Sequence, residues 1–406
     1  MLNRPRFVVW IATLIVGCGS ASLARASEFD QASLAKIRPA MQKFVDEKQI
    51  AGAVTVVGSS SGVASIEAIG NALIEGPHAM RPDSLFRIAS MTKPITAMAI
   101  MALQEDGKLS VEDPVEQHLP EFKGQMLVSS KADGLVTLKK PARVITIRDL
   151  LTHTSGLPGG FPAGLADLYN RRHLTLTEAV LVSSQQPLDF EPGSKWSYCN
   201  AGIDTLGRIV EVASGKSFEA FLVERFFSPL GMHDTRCFLD ESQRGRVAGL
   251  YERKGDELVV TVRPLVGPSQ GAKHPIPAGG LLSTGPDLGK LYTAMLRKGE
   301  FGGKRVLSEQ SHKTMTAVQT GELPTGFVPG MSFGFGWAVV RQPMGVTESA
   351  SVGTYGHGGA FGTQAWIDPQ KDVFVVLLIQ RAGLPNADGS DIRKSLQDLA
   401  TKALKP

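Results

Sequence analysis

Strand-type runs cluster at the two ends of this chain, with a long stretch of helical pattern between them. Residues 53–58 and 63–69 are rich in β-branched and small apolar residues. The four residues Ser59-Ser60-Ser61-Gly62 separate them, which predicts a hairpin. Near the other end, residues 334–341, 362–367 and 373–380 are again β-type. Between these groups, residues 91–105 form an apolar helical run closed by Gly107. Thr146 and Asp149 form a capping box that opens a helix running to His153. Residues 200–214 carry a helical apolar stripe ended by Gly215. Residues 218–226 and 286–296 continue the helical pattern, with Pro286 in a first turn. One helix is expected at each end of the chain, over residues 32–46 and 391–404. Two separated groups of strands can satisfy their edges by meeting in one sheet. The expected architecture is therefore α+β, an α/β sandwich: an antiparallel sheet flanked by helices, with a mostly helical domain inserted. The sheet domain takes residues 27–89 and about 300–406, and the helical domain takes residues 90–299. A cleft between such units is the natural place for a small-molecule site.

The first 26 residues stand apart. Arg4 and Arg6 precede an apolar run over residues 7–17 that is too short to span a bilayer well. Ala24-Arg25-Ala26 then presents small residues where a signal peptidase reads, so the segment reads as an export signal cleaved after Ala26. Ile15-Val16-Gly17-Cys18 offers the competing reading of a lipobox, with Cys18 lipidated and the protein anchored. Either way the chain is expected outside the cytoplasm, periplasmic, secreted or lipid-anchored. Nothing later resembles a membrane span. Removing residues 1–26 takes away three arginines and no acids, so the formal charge falls from +4 to +1. That near-neutral balance shows no footprint for nucleic acid. The three cysteines, Cys18, Cys199 and Cys237, form no zinc-type spacing. Pairing of Cys199 with Cys237 stays open in an exported chain, with two free thiols as the simpler expectation.

Two serine motifs compete for the role of nucleophile. Gly58-Ser59-Ser60-Ser61-Gly62 matches G-x-S-x-G, but that elbow needs a strand leading into a helix. Here it joins strand to strand, and glycine and serine are what a turn selects. Ser90-Met91-Thr92-Lys93 matches S-x-x-K. The pattern alone is weak, since Ser33-Leu34-Ala35-Lys36 also has it. Context separates the two: Ser90 opens the apolar helix, so Ser90 and Lys93 share one helical face. The helix start also supplies free N–H groups and a positive dipole end. A lysine held beside a serine lowers the cost of deprotonating it. The plain structural alternative for Ser90 is an N-cap.

The run from Leu85 to Pro94, Leu-Phe-Arg-Ile-Ala-Ser-Met-Thr-Lys-Pro, resembles the active-site segment of class C β-lactamase-like serine hydrolases, the superfamily of penicillin-binding proteins and family VIII esterases. Leu150-Leu151-Thr152-His153-Thr154-Ser155-Gly156-Leu157 resembles another signature of that family. Glu191-Pro192-Gly193 followed by Tyr198-Cys199-Asn200 resembles its second catalytic element, and His357-Gly358-Gly359 its third. The resemblance implies a β-lactamase/transpeptidase-like fold. It implies Ser90 as the nucleophile of an acyl-enzyme, and Lys93 as the residue holding Ser90 and Tyr198 in register. Tyr198 would be general base and then acid, its pKa pulled down by Lys93. Asn200 would bind Lys93 and a polar substrate group, or else cap the helix it opens. His357 would line the cleft, with Gly359 allowing close approach of substrate to backbone. The N–H groups of Ser90 and Ala360 would form the oxyanion hole. His153 is expected to be structural, meeting the last carbonyls of its helix. No cofactor or metal is implied, because the chain itself supplies nucleophile, base and oxyanion hole.

The chain departs from the family at two points. His357 stands where many β-lactamases carry the lysine of Lys-Thr-Gly. Histidine is mostly neutral at pH 7, so the anchor for a β-lactam carboxylate is weakened. Cys199 replaces a small Ala or Ser and should pack as a small hydrophobe. The resemblance therefore implies a serine hydrolase of small esters, amides or peptides, esterase-type first. A D-alanyl-D-alanine carboxypeptidase, a D-aminopeptidase and a β-lactamase are the catalytic alternatives. A non-catalytic penicillin-binding sensor module is the alternative from another class.

Overall fold

The computed structural model describes residues 28–76, 78–261 and 271–405. The segment read as an export signal, with Cys18, lies outside the described residues. The two terminal groups of strands do meet. Strands β1 (Gly52–Ser59), β2 (Gly62–Leu73) and β3 (His78–Ala79) join β4 (Met331–Phe333), β5 (Ala338–Val340), β6 (Tyr355–Gly358), β7 (Gln364–Asp368) and β8 (Val373–Leu378). They form one eight-stranded sheet in the order β4-β5-β6-β7-β8-β1-β2-β3, antiparallel throughout. The seam is the β1–β8 pair, with Val54 opposite Leu378 and Val56 opposite Val376.

The period-2 pattern explains the layers. Along β1 and β8, Val54, Val56, Phe374 and Val376 pack into the larger core, and Ala53, Val57, Val375 and Leu377 into a second core on the opposite face. The second core is closed by helix α1 (Ile37–Asp46) and the carboxy-terminal helix α7 (Asp391–Lys402) through Ile37, Met41, Ile392 and Leu396. On the other face lies α6 (Gly285–Leu296), pressed so close that a Cβ on Gly289 would stand 2.6 Å from Val63. This helix falls within the stretch expected to belong to the helical insert, yet it packs on the sheet. Its small residues at 285 and 289 are what permit that contact.

The insert centres on α2 (Thr92–Glu105), in which every residue from Thr92 to Leu103 is buried. An apolar helix without a polar face belongs in the interior, and α2 is packed against α5 (Asn200–Ser214). Helix α5 begins and ends where its pattern indicated, with Gly215 left-handed at φ 70°. Helix α3 (Ile147–Leu151) has the Thr146–Asp149 capping box but stops before His153, which is left-handed at φ 60°. The insert also holds two hairpins that the helical reading missed, Leu127–Ala132 with Leu135–Lys139 and Tyr251–Lys254 with Glu257–Val260. The first was signalled by Asp133-Gly134, both at positive φ, the usual two-residue hairpin turn. The strand expected over residues 334–341 is shortened to β5 (Ala338–Val340), and Gly334 to Trp337 form the turn that joins it to β4. The serine-rich decoy is the β1–β2 turn: Ser60 Oγ donates to Asp372 Oδ2 at 2.8 Å, a structural tie.

Candidate active site

Ser90 lies in a 3₁₀ turn, Ala89–Met91, that runs directly into α2. It is therefore not the N-cap that its position suggested. Ala89 before it is left-handed at φ 47° and buried. Backbone strain of this kind costs on the order of 1–3 kcal/mol and persists where the surroundings impose it. The surroundings here are the end of β6. A Cβ on Gly359 would stand 2.6 Å from the Ile88 carbonyl oxygen and 3.3 Å from Ala89 Cβ. Only glycine allows the strand to lie against the serine turn. Thr363 Oγ1 ties the two together by donating to the Ile88 carbonyl at 3.3 Å. Ala360 follows, exposed, beside the half-buried Ser90.

Lys93 sits one turn along, fully buried. Its Nζ donates to Ser90 Oγ at 3.0 Å and to the Ala278 carbonyl at 2.7 Å. Burial drives its pKa down from 10.5 to about 7, against an opposing pull from Asp204 and Cys199. Tyr198 faces the same atoms: its hydroxyl hydrogen-bonds Ser90, and Lys93 Nζ lies 4.6 Å from its ring centroid. Burial raises the Tyr198 phenol well above its usual range, and the Ser90 hydrogen bond only partly offsets this. The expected lowering by Lys93 does not occur. A lysine that burial has brought close to neutrality has little charge with which to stabilise a phenolate.

Asn200 departs from expectation. It is exposed at the first turn of α5, and the hydrogen bonds of Lys93 go to Ser90 and Ala278 instead. Nor does Asn200 cap the helix. Cys199 is the N-cap, and its Sγ accepts from the Gly202 N–H at 3.4 Å. The Cys199 and Cys237 thiols are both buried and unpaired with each other.

His357 is buried on β6, where a hydrogen bond of 2.6 Å joins its Nδ1 to the Gly358 carbonyl. A carbonyl only accepts, so Nδ1 carries the proton and Nε2 presents a lone pair, which is buried without a partner. Desolvation, and then Lys93, push its pKa down to about 4. His153 does not meet the carbonyls of its helix. Its Nδ1 accepts the Cys199 N–H at 3.2 Å, and its ring stands 4.6 Å from the Tyr198 ring. It buttresses the Tyr198 segment as a neutral imidazole, held so by burial first and then by Lys93.

Several neighbours were not read from the sequence. Asp204, four residues beyond Asn200 on α5, is a buried carboxylate that accepts the Ala278 N–H at 2.9 Å. A charged residue at i+4 on an otherwise apolar stripe was the available signal. Asp388 lies against Gly358, where a Cβ would stand 2.0 Å from its Oδ1. The mouth is aromatic. Phe327 stands 5.0 Å from Tyr198 and 6.0 Å from Trp196, and Trp196 stands 5.2 Å from Phe333. Phe161 stacks on Tyr169 at 4.5 Å. A small cavity lined by Phe327, Phe333, His357 and Asp388 adjoins Gly358. Among the described residues no cluster of His, Cys, Asp and Glu has metal-binding form, and no helix is long and apolar enough to cross a membrane.

The family model described as Beta-lactamase matches residues 37–399. Protein Rv1367c of Mycobacterium tuberculosis is 32% identical over 360 residues, covering 84% of this chain and 88% of that one. Esterase EstB of Burkholderia gladioli is 30% identical over 382 residues, covering 88% and 93%. Among solved structures, EstCE1, described as a hydrolase with promiscuous acyltransferase activity, superposes with a TM-score of 0.75 at 27% identity, covering 91% of this chain and 98% of that one.

Proposed function

The chain belongs to the β-lactamase family and is a serine hydrolase, and from that premise we propose that it cleaves uncharged esters through an acyl-enzyme on Ser90. The observation that carries the reading is the 3.0 Å contact between Ser90 Oγ and the Nζ of a fully buried Lys93. With its pKa near 7, Lys93 is substantially neutral at neutral pH and free to accept the Ser90 proton. Ser90 Oγ then bonds to the acyl carbon. The carbonyl oxygen takes the charge against the N–H groups of Ser90 and Ala360. The leaving alkoxide collects a proton from Tyr198, which stays protonated up to that step, and the Lys93 ammonium returns one to the Tyr198 phenolate. Water then reverses the sequence at the acyl-enzyme and releases the acid.

The substrate class follows from the other side of the cleft. His357 is neutral and turns a lone pair inward, while Asp388 adds negative charge nearby. Neither attracts a carboxylate, so β-lactam and D-Ala-D-Ala carboxylates are poorly served. The aromatic mouth suits an apolar acyl or alkoxy group. EstB is named an esterase and EstCE1 a hydrolase, which supports the same reading. The amino-terminal segment supports export, with either cleavage after Ala26 or a lipid on Cys18. Side-by-side hydrolysis of p-nitrophenyl butyrate and a chromogenic cephalosporin, with Ser90→Ala as control, tests the proposal. Ester cleavage lost in the variant is expected, and cephalosporin turnover exceeding ester cleavage overturns the ranking.

A second reading rests on Asp388. A carboxylate beside Gly358 is placed to meet a substrate ammonium, which favours a D-aminopeptidase over a carboxypeptidase. D-alanine p-nitroanilide cleaved faster than the butyrate ester, with the rate lost in Asp388→Asn, would move the assignment there.

A further inference from the structure

We infer that Asp204 is a positioning residue for this reaction: it holds the backbone segment that holds Lys93, and so ties the pocket wall at Tyr169 to the amine beside Ser90. The inference rests on the hydrolase reading above, in which Lys93 accepts the serine proton.

The contacts run without a gap. The Tyr169 hydroxyl donates to Asp204 Oδ2 at 2.7 Å. The Ala278 N–H donates to Asp204 Oδ1 at 2.9 Å, and the Ala278 carbonyl accepts from Lys93 Nζ at 2.7 Å. Lys93 Nζ reaches Ser90 Oγ at 3.0 Å. Ala278 thus presents its N–H to a buried anion and its carbonyl to a buried amine. The segment is pinned from two other sides. Thr96 Oγ1 on α2 donates to the Pro277 carbonyl at 2.7 Å, and Pro277 presses on α5 where a Cβ at Gly207 would stand 2.1 Å from its ring. His274 completes the shell around Asp204: its Nδ1 accepts the Ile276 N–H, so Nε2 carries the proton and points at Asp204 Oδ2 from 3.7 Å.

The charges make Asp204 more than a strut. The groups facing Lys93 are Ser90 on its own turn, His153 after α3, Tyr198 and Cys199 before α5, Asp204 on α5, and His357 on β6. Burial raises the Tyr198 phenol and lifts the Cys199 thiol to about 11, so both stay protonated and neutral. Burial keeps both imidazoles neutral as well. Asp388 faces Tyr198 and His357. Of the groups facing Lys93, Asp204 gives the larger pull toward the protonated amine, ahead of Cys199. Without it, Lys93 would lose its proton at lower pH.

The test is the pH profile of kcat/KM for p-nitrophenyl butyrate between pH 5 and 9, measured on the full chain. Asp204→Asn is expected to shift the acid limb down by about half a unit or more. It is also expected to lower kcat roughly tenfold or more as the Lys93 seat loosens, with KM nearly unchanged. Tyr169→Phe keeps the charge, so its limb should coincide with the wild type while kcat falls less. A folded Asp204→Asn whose limb stays put or moves up overturns the inference. Should Asp204→Asn melt below the assay temperature, Asp204→Glu carries the test. A lowered kcat with an unmoved limb is expected there, and wild-type values of both overturn the inference. Ser90→Ala separates the two levels: if it keeps the wild-type rate the hydrolase reading falls, whatever Asp204 does.

Discussion

The two walls of the cleft are built on opposite plans. On the insert side, Ser90, Lys93, Ala278, Asp204 and Tyr169 are joined hydrogen bond to hydrogen bond. On the sheet side, His357 Nε2 is buried without a partner and Phe327 stands about half exposed at 49%. A satisfied network is stiff and specifies one geometry. An unsatisfied wall with an exposed aromatic leaves room for a substrate to supply the missing contacts. On the proposed function, the first wall would carry the reaction and the second the choice of substrate.

Changes on the wired wall should have the largest effects. Lys93→Met is expected to lower kcat for p-nitrophenyl butyrate by about 10²–10⁴-fold, the range for a lost general base. The same variant should be more stable than wild type in acid. The folded pKa of Lys93 lies near 7 and the reference near 10.5, so burying the charged amine costs stability at any pH below about 7. That cost fades as pH rises from about 7 to 10.5. The gain in stability for Lys93→Met, read as a gain in Tm, should therefore be greatest near pH 6 and shrink toward pH 10, with the free-energy gain bounded by about 5 kcal/mol. A Tm difference that does not change with pH would break the claim that this wall buries an ionisable amine. In the wild type, kcat/KM should rise through an acid limb centred near pH 7.

The seam between the walls comes next. Gly359→Val puts a side chain against the Ile88 carbonyl and should lower kcat by about 10²–10³-fold, as for a lost oxyanion donor. Its KM and Tm show whether the seam serves the reaction or only the fold. Changes on the open wall should be smaller and fall on selectivity. His357→Lys supplies the missing cation and should raise cephalosporin turnover relative to ester turnover. An unchanged ratio would mean that this wall does not sort substrates by charge. Phe327→Ala should raise KM for longer acyl chains by roughly 10-fold, the scale of one lost apolar contact, with little change in kcat.

The first wall was also the more legible. Ser90, Lys93 and Tyr198 came from short motifs, and the structure brings all three together. His357 and Gly359 came from a third motif, and the clash a Cβ would meet at Gly359 gives its glycine a reason. Asn200 neither meets Lys93 nor caps its helix. Its motif says that it follows Tyr198 by two residues, but in the helix starting at Asn200 the residue is exposed and Cys199 is the cap. Asp204 and Asp388 were not read: Asp204 had only its place on an apolar helical stripe as a signal, and Asp388 had none until the fold put Gly358 beside it. His153 was read as structural but given the wrong partner. It meets Cys199, 46 residues away, rather than its own helix.

Taken alone, the sequence determined what local chemistry determines. Period-2 runs at both ends required a shared sheet, because strand edges must be paired. The unbroken apolar run of α2 required an interior helix. The spacing Ser90-x-x-Lys93 set two side chains one turn apart. The tertiary structure alone decided the charges. Lys93 loses much of its affinity for a proton because sheet and insert close over it, and Tyr198 keeps its proton for the same reason. Desolvation depends on every element that covers a group, and no stretch of sequence contains that sum.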